Sequence, residues 1–222
     1  MTYPSLSIVE MLRRIYPVSR ETIDRLVQYE KLLRHWQSKT NLVAPSTLDQ
    51  FWTRHVADSL QVLAISPEAR HWTDIGSGGG FPGIVIAIVM KQIGDQEDTK
   101  TSVHLVESIQ KKCSFLRRAA YETGVEAEIH AERIESATKQ LEACEVISVR
   151  ALAALPKLLE LTFPHITGDR RALFHKGRDY LREIEDCDSQ WKFDLVVHNS
   201  KVDDTSVILE ISNVQAHRQN ID

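Results

Sequence analysis

The spacing of apolar positions changes once along the chain. Ile8, Met11, Leu12 and Ile15 recur at the three-and-four spacing of one helix face, and Pro17 closes that helix. Ser19 can cap a second helix, in which Ile23, Leu26, Val27, Leu33 and Trp36 repeat at helical spacing. A third helix is predicted roughly from Thr47 to Ile65, carrying Trp52, Val56, Leu60 and Leu63. Residues 1–66 therefore read as a helical segment packed on the domain formed by residues 67–222.

From Trp72 onward short β-branched runs take over: TDI, TSVHLVE, AEIHA, EVISV, RALFH, KFDLVVH and SVILEIS. Helical stretches such as IQKKCSFLRRAAYETG, LAALPKLLELTFPHI and GRDYLREIEDC separate most of them. That alternation predicts an α/β fold with a doubly wound, mainly parallel sheet. The last two runs have only the turn-like NSKVDDTS between them, which predicts a closing antiparallel hairpin. GDQEDTK, 94–100, reads as a polar surface loop.

Composition narrows the class. With 222 residues, 42% hydrophobic and 26% charged, the chain has the balance of a globular domain. No apolar run approaches the ~18 residues of a membrane span, and MTYPSLSIVEMLRR reads as neither signal nor transit peptide. Cys113, Cys144 and Cys187 are too few and too scattered for a disulfide framework or a cysteine zinc site, so a reducing cytoplasm and no metal are expected. A net charge of −4 offers no global attraction for a polyanion, so nucleic-acid binding would rest on local patches.

The densest chemical signal is DIGSGGGFPG, residues 74–83, between the first strand and the next helix. A glycine-rich turn at the carboxyl edge of a parallel sheet lets a ligand touch the backbone. No lysine lies between Trp72 and Met90, which excludes a P-loop. Gly78, Gly80 and Gly83 satisfy the dinucleotide pattern, but Pro82 removes an N–H where a pyrophosphate would need one. The frame Asp74, Gly76, Gly78, Gly80 is similar to the loop of S-adenosylmethionine-dependent methyltransferases, whose ligand carries no phosphate. Glu107, ending the next strand, suits ribose hydroxyls in either class, so a nicotinamide dehydrogenase stays open on these residues alone.

The motifs DIGSGGGFPG, LVESIQKKCSFLR, RIES, VRALAALPKLL, FHKG and NLVAPS with RHVADSL after it occur together and in order from about Leu32 to Gly177. This set resembles the ribosomal RNA small subunit methyltransferase G family, also called glucose-inhibited division protein B. The resemblance implies a Rossmann-like methyltransferase domain behind a helical segment. It implies methyl transfer from S-adenosylmethionine to N7 of a guanine, guanine 527 in the 530 loop, with 16S rRNA or the small ribosomal subunit as partner. Carried over by position, Gly76, Phe81, Glu107, Ser108, Ile109, Ile134, Glu135 and Arg150 hold the donor, and Gly78 joins them through the glycine frame. Arg150 is also the catalytic candidate, and Arg54 and His55 with nearby Asp58 become candidates for the RNA side. The chain departs from the pattern at Val149-Arg150-Ala151, where the family has Ser-Arg-Ala, and in its C-terminal ILEISNVQAHRQNID.

The residues themselves agree with an N7 acceptor. No Asn-Pro-Pro-Tyr marks an exocyclic amine target, and no cysteine stands where a pyrimidine-C5 nucleophile would. Guanine N7 has an in-plane lone pair and no proton, so alignment replaces a general base. Lys176 and Arg178, flanking Gly177 after the fifth strand, are the basic pair expected to meet the acceptor. The alternative reading is a methyltransferase for a small molecule or protein. A cytoplasmic monomer without membrane contact is expected.

Overall fold

The structure is a computed structural model describing residues 3–217, so the first two and last five residues of the two expected segments lie outside it. Helices α1 (Leu6–Ile15) and α2 (Arg20–Gln37) begin where their caps predict: Ser5 and Ser19 accept from the N–H groups of Ile8 and Thr22. The third predicted helix is instead three pieces, a 3-10 turn over Pro45–Gln50, a π-helical turn over Phe51–Val56 and helix α3 (Ala57–Ile65). The π turn buries Phe51, Trp52, His55 and Val56 on one face and leaves Thr53 and Arg54 exposed on the other.

All seven predicted strands form, as β1 (His71–Ile75), β2 (Ser102–Val106), β3 (Glu128–His130), β4 (Val146–Arg150), β5 (Arg171–Lys176), β6 (Trp191–Asn199) and β7 (Val207–Ala216). They build one sheet in the order β3-β2-β1-β4-β5-β7-β6. The first five strands in that order are mutually parallel, while β7 runs antiparallel to both β5 and β6, so the closing hairpin is present. Chain order reverses between β1 and β4, and the carboxyl ends of those strands frame the crevice where such sheets bind ligands.

Helix α4 spans Gly83–Glu97, α5 Gln110–Thr123, α6 Thr138–Ala143, α7 Leu155–Thr162 and α8 Tyr180–Glu185. Three boundaries correct the sequence reading. The loop expected at 94–100 is helical through Glu97, sustained by Lys91 against Asp95 and by Arg70 on Glu97, and ends at Asp98 in the left-handed region. Helix α7 is shorter than its apolar run, because Pro156 sits in its first turn and Pro164 blocks continuation past Thr162. Cys187 lies in a turn beyond α8 rather than in a helix.

The sheet separates two apolar clusters. One joins α1, α2, α3, α4 and α5 through Leu12, Leu26, Leu60, Ile84 and Phe115; the other packs α6, α7 and the β5–β7 region through Leu141, Leu158 and Phe174. The helical segment therefore shares its core with α4 and α5. Among the described residues, no helix is long and apolar enough to cross a membrane.

Candidate functional site

Beyond β1 the loop Gly76–Pro82 doubles back beneath the helical segment. Gly76, Gly78 and Gly80 have φ of 68°, 54° and 87°, a region costly for side-chain-bearing residues. Gly83 answers to packing alone: a Cβ there would stand 2.0 Å from Leu105 Cδ2 and 2.6 Å from Asp74 Oδ2. Tyr29 of α2 donates its hydroxyl hydrogen to the Gly79 carbonyl. The glycines thus answer both to a ligand-facing surface and to the helices pressed against the loop's back.

Asp74, fully enclosed below that loop, accepts from Ser148 Oγ at 2.9 Å. Burial pushes its carboxyl up to about 7, with Ser77, Ser148 and the Gly83 N–H pulling the other way. Glu107 is 7% exposed; one carboxylate oxygen accepts from the Gly78 N–H at 3.0 Å, the other from the Ile109 N–H at 2.8 Å. The two bonds aim the carboxylate across the loop mouth. Each oxygen retains a lone pair, which matches a vicinal diol. The surface pairing of Glu107 with Lys111 that helix spacing would allow is not formed.

A cavity of about 620 Å³ opens here, lined among others by Gly76, Gly78, Phe81, Glu107, Ser108, Ile109, Ile134, Glu135, Arg54, His55 and Arg150. All nine predicted donor-site residues are thus brought to one space. Ile134 and Glu135 occupy a 3-10 turn, Ile134–Ser136, beyond β3. The volume lies within the ~300–1,000 Å³ of small-molecule sites.

Arg150 ends β4 and reaches back to the helical segment. Its Nε pairs with Asp58 Oδ2 at 2.9 Å, its Nη1 donates to His55 Nδ1 at 2.9 Å, and its guanidinium lies 5.9 Å from the centre of the Phe81 ring. A guanidinium only donates, so His55 is neutral with its proton on Nε2, which donates to Thr47 Oγ1 at 3.0 Å. Burial holds the His55 imidazole down to about 4, and the charges of Arg150 and Arg54 add to that. Its ring stacks on Phe81 at 4.7 Å. Ala151, next in the chain, is held at φ 54°, a strained value of the kind that collects at functional sites.

A second cavity, about 430 Å³, meets the first at Arg54, Arg150 and Ala151 and extends past Asp58, His175 and Asp203. Lys176 borders it, but the residue is 8% exposed and its ammonium is committed to the Ala153 carbonyl (2.9 Å) and Glu183 (2.5 Å). It braces the β4–α7 loop, whereas Arg178 is exposed. The i,i+4 pair of Arg54 with Asp58 is replaced by Asp58 with Arg150. All three cysteines are buried, which raises their thiols and leaves no thiolate nucleophile.

Sequence reading misses Leu42, Thr47, His175 and Asp203 at these cavities. NLVAPS stands out as a motif without showing a role, and nothing local announces that His175 on β5 or Asp203 in the β6–β7 turn reaches the end of β4.

A profile described as rRNA small subunit methyltransferase G matches residues 22–208. The chain is 50% identical over 200 residues to the Ribosomal RNA small subunit methyltransferase G of Rhizobium leguminosarum bv. trifolii, covering 89% of this chain and 95% of that protein. It is 47% identical over 207 residues to the protein of the same name from Brucella anthropi, covering 93% and 95%. Among solved structures, magnesium protoporphyrin IX methyltransferase from Synechocystis with bound S-adenosylmethionine superimposes with a TM-score of 0.54 at 11% identity, over 83% of this chain and 97% of that one. A mutant of MtNAS in complex with S-adenosylmethionine gives 0.55 at 14% identity, over 82% and 72%. These two likenesses establish a shared fold, while the close relatives and the profile settle the family. The chain belongs to the rRNA small subunit methyltransferase G family.

Proposed function

We propose that this protein transfers the methyl group of S-adenosylmethionine to N7 of a guanine in 16S rRNA, guanine 527 of the 530 loop, as a cytoplasmic monomer acting on the small ribosomal subunit or its RNA. The observation that carries this reading is the meeting of two cavities at Arg150. One has a carboxylate aimed at a diol and no phosphate cradle; the other is open enough for a flipped base.

When bound, S-adenosylmethionine supplies an electrophilic methyl group. Glu107 takes the ribose hydroxyls, Gly76 and Gly78 present bare backbone, and Ser108, Ile109, Ile134 and Glu135 border the adenine. Arg150 acts by position. Its Nε and one Nη1 hydrogen are occupied by Asp58 and His55, so the side-on fork through Nε is taken and contact to a guanine falls to the remaining Nη hydrogens. A single contact to O6 or to the donor carboxylate leaves the N7 lone pair exposed. Nothing needs to accept a proton, in keeping with a neutral His55 whose acceptor nitrogen is already engaged and with buried thiols. Alignment of the two reactants can supply up to ~7–11 kcal/mol. Arg54, His55, Lys176 and Arg178 are proposed on the acceptor side, Lys176 through the loop it braces rather than by direct contact.

Borohydride and aniline treatment cuts RNA at 7-methylguanine. Incubating unmodified small subunits, or their free RNA, with protein and donor should create one new primer-extension stop in the 530 loop. Label transferred to a protein or small-molecule fraction, with no RNA cut, would overturn the assignment.

A further inference from the structure

At the sheet edge far from Arg150 in strand order, three potential ligands share one face. In the parallel register His104 of β2 sits opposite Glu128 of β3, and Val106 opposite His130. Side chains two apart on a strand project to the same side, so His104, Glu128 and His130 are gathered by backbone pairing alone. His104 Nδ1 lies 3.0 Å from His130 Nε2, and Glu128 Oε2 lies 3.6 Å from the first and 4.0 Å from the second.

We propose that these three residues bind one divalent transition-metal ion of the zinc type, fastening the edge strand β3 to β2. Two imidazoles and a carboxylate are a zinc ligand set, and with metal–ligand bonds of about 2.0–2.2 Å tetrahedral donors stand about 3.4 Å apart. The three separations here bracket that value, so closure needs shifts of a few tenths of an ångström. The imidazoles are mostly shielded, at 14% and 19% exposure, while Glu128 is 71% exposed. The carboxylate side therefore offers an entry path and a place for a coordinated water.

A supporting shell is also present. Gln140 of α6 holds its amide 3.0 Å from His130 Nδ1, the nitrogen away from the ion. A half-turn of that amide presents its oxygen to the Nδ1–H, the arrangement that orients a metal-bound imidazole. The Gln140 backbone carbonyl accepts from Thr73 Oγ1 at 2.8 Å, and Thr73 is the β1 residue paired with His104. One row across the sheet thus positions a ligand and its support together.

The clip has a consequence for the donor cavity. Strand β3 has only three residues, and Glu132 to Glu135, two to five positions after His130, line that cavity. An ion fastening β3 would steady this wall and stabilise the fold by ligand linkage.

The test uses the full chain, stripped with a chelator and titrated with zinc by calorimetry and thermal melting, with cobalt absorption reporting coordination geometry. One equivalent bound per chain, a melting point rising with zinc, and a tetrahedral cobalt spectrum are expected. Glu128→Gln and His130→Ala should lose this binding, and Gln140→Ala should weaken it ~10–100-fold. His198→Ala, which removes a two-group His–Glu pair on β6 and β7, should leave it intact. Absence of stoichiometric uptake, uptake unchanged by Glu128→Gln, or loss with His198→Ala would overturn the proposal. Should His130→Ala fail to fold, Glu128→Gln, altered at an exposed side chain, decides alone.

Discussion

His55 shows how far a residue's chemistry departs from its type. Beside Arg54 on a helix it reads as a basic pair for RNA. In place it is 5% exposed, neutral, and an acceptor from Arg150. Its folded value of about 4 lies below the ordinary 6.5, so protons bind the unfolded chain first as pH falls. The stability due to neutral His55 is complete above 6.5 and drains away towards 4, by up to ~2–3 kcal/mol. His55→Asn keeps an acceptor for Arg150 and cannot titrate. Urea midpoints measured between pH 4 and 6.5 should therefore fall less steeply for the variant; parallel slopes would refute the assignment. Glu107 is the opposite case, since its position at a strand end after the glycine loop already indicates its use, and the fold adds only the two N–H groups that aim it.

Among the elements, the turn between β1 and α4 carries the tightest constraint. Gly83 begins α4 where Leu105 of β2 and Asp74 of β1 leave no room for a methyl group. Gly83→Ala should cost ~1–3 kcal/mol of unfolding free energy by overpacking, read as a lowered denaturant midpoint at unchanged m-value. A neutral result would mean that helix and strand separate freely. Element types were legible because period is a backbone property: alternation for β7, three-and-four spacing for α2, and serine caps at Ser5 and Ser19. The boundaries that escaped involve partners remote in sequence. Helix α4 runs past Gly94 partly because Arg70 meets Glu97, and the π turn at Phe51–Val56 packs its one buried face into the core shared with α2, α4 and α5.

For the molecule as a whole, the Arg150 cluster ties three regions together. Asp58 of α3 holds Arg150 of β4; its own backbone carbonyl lies 3.2 Å from His175 Nε2 of β5, and Gln61 carries the contact on to Ser200 and the Lys201 N–H. Asp58→Asn removes the charge that compensates a guanidinium only 15% exposed. Losing one partner of a buried pair costs about 3–5 kcal/mol, and the residual exposure places this one nearer ~2–3. Thermal unfolding should register that loss, and methyl transfer should fall further than donor binding, because the proposed donor cavity keeps Glu107 while Arg150 loses its aim. Equal losses in both would show that Asp58 serves stability alone.

The amino-acid order by itself determined the helix-then-α/β architecture, the glycine loop and the carboxylate one strand later. Each depends on local periodicity or on a glycine pattern whose steric logic is contained within a few residues. Tertiary structure decided which charges remain free to meet a ligand. Lys176 turns inward to Glu183, Asp58 chooses Arg150 over Arg54, and His104 meets His130 across two strands, because desolvation and pairing energies depend on neighbours that only the closed sheet brings within reach.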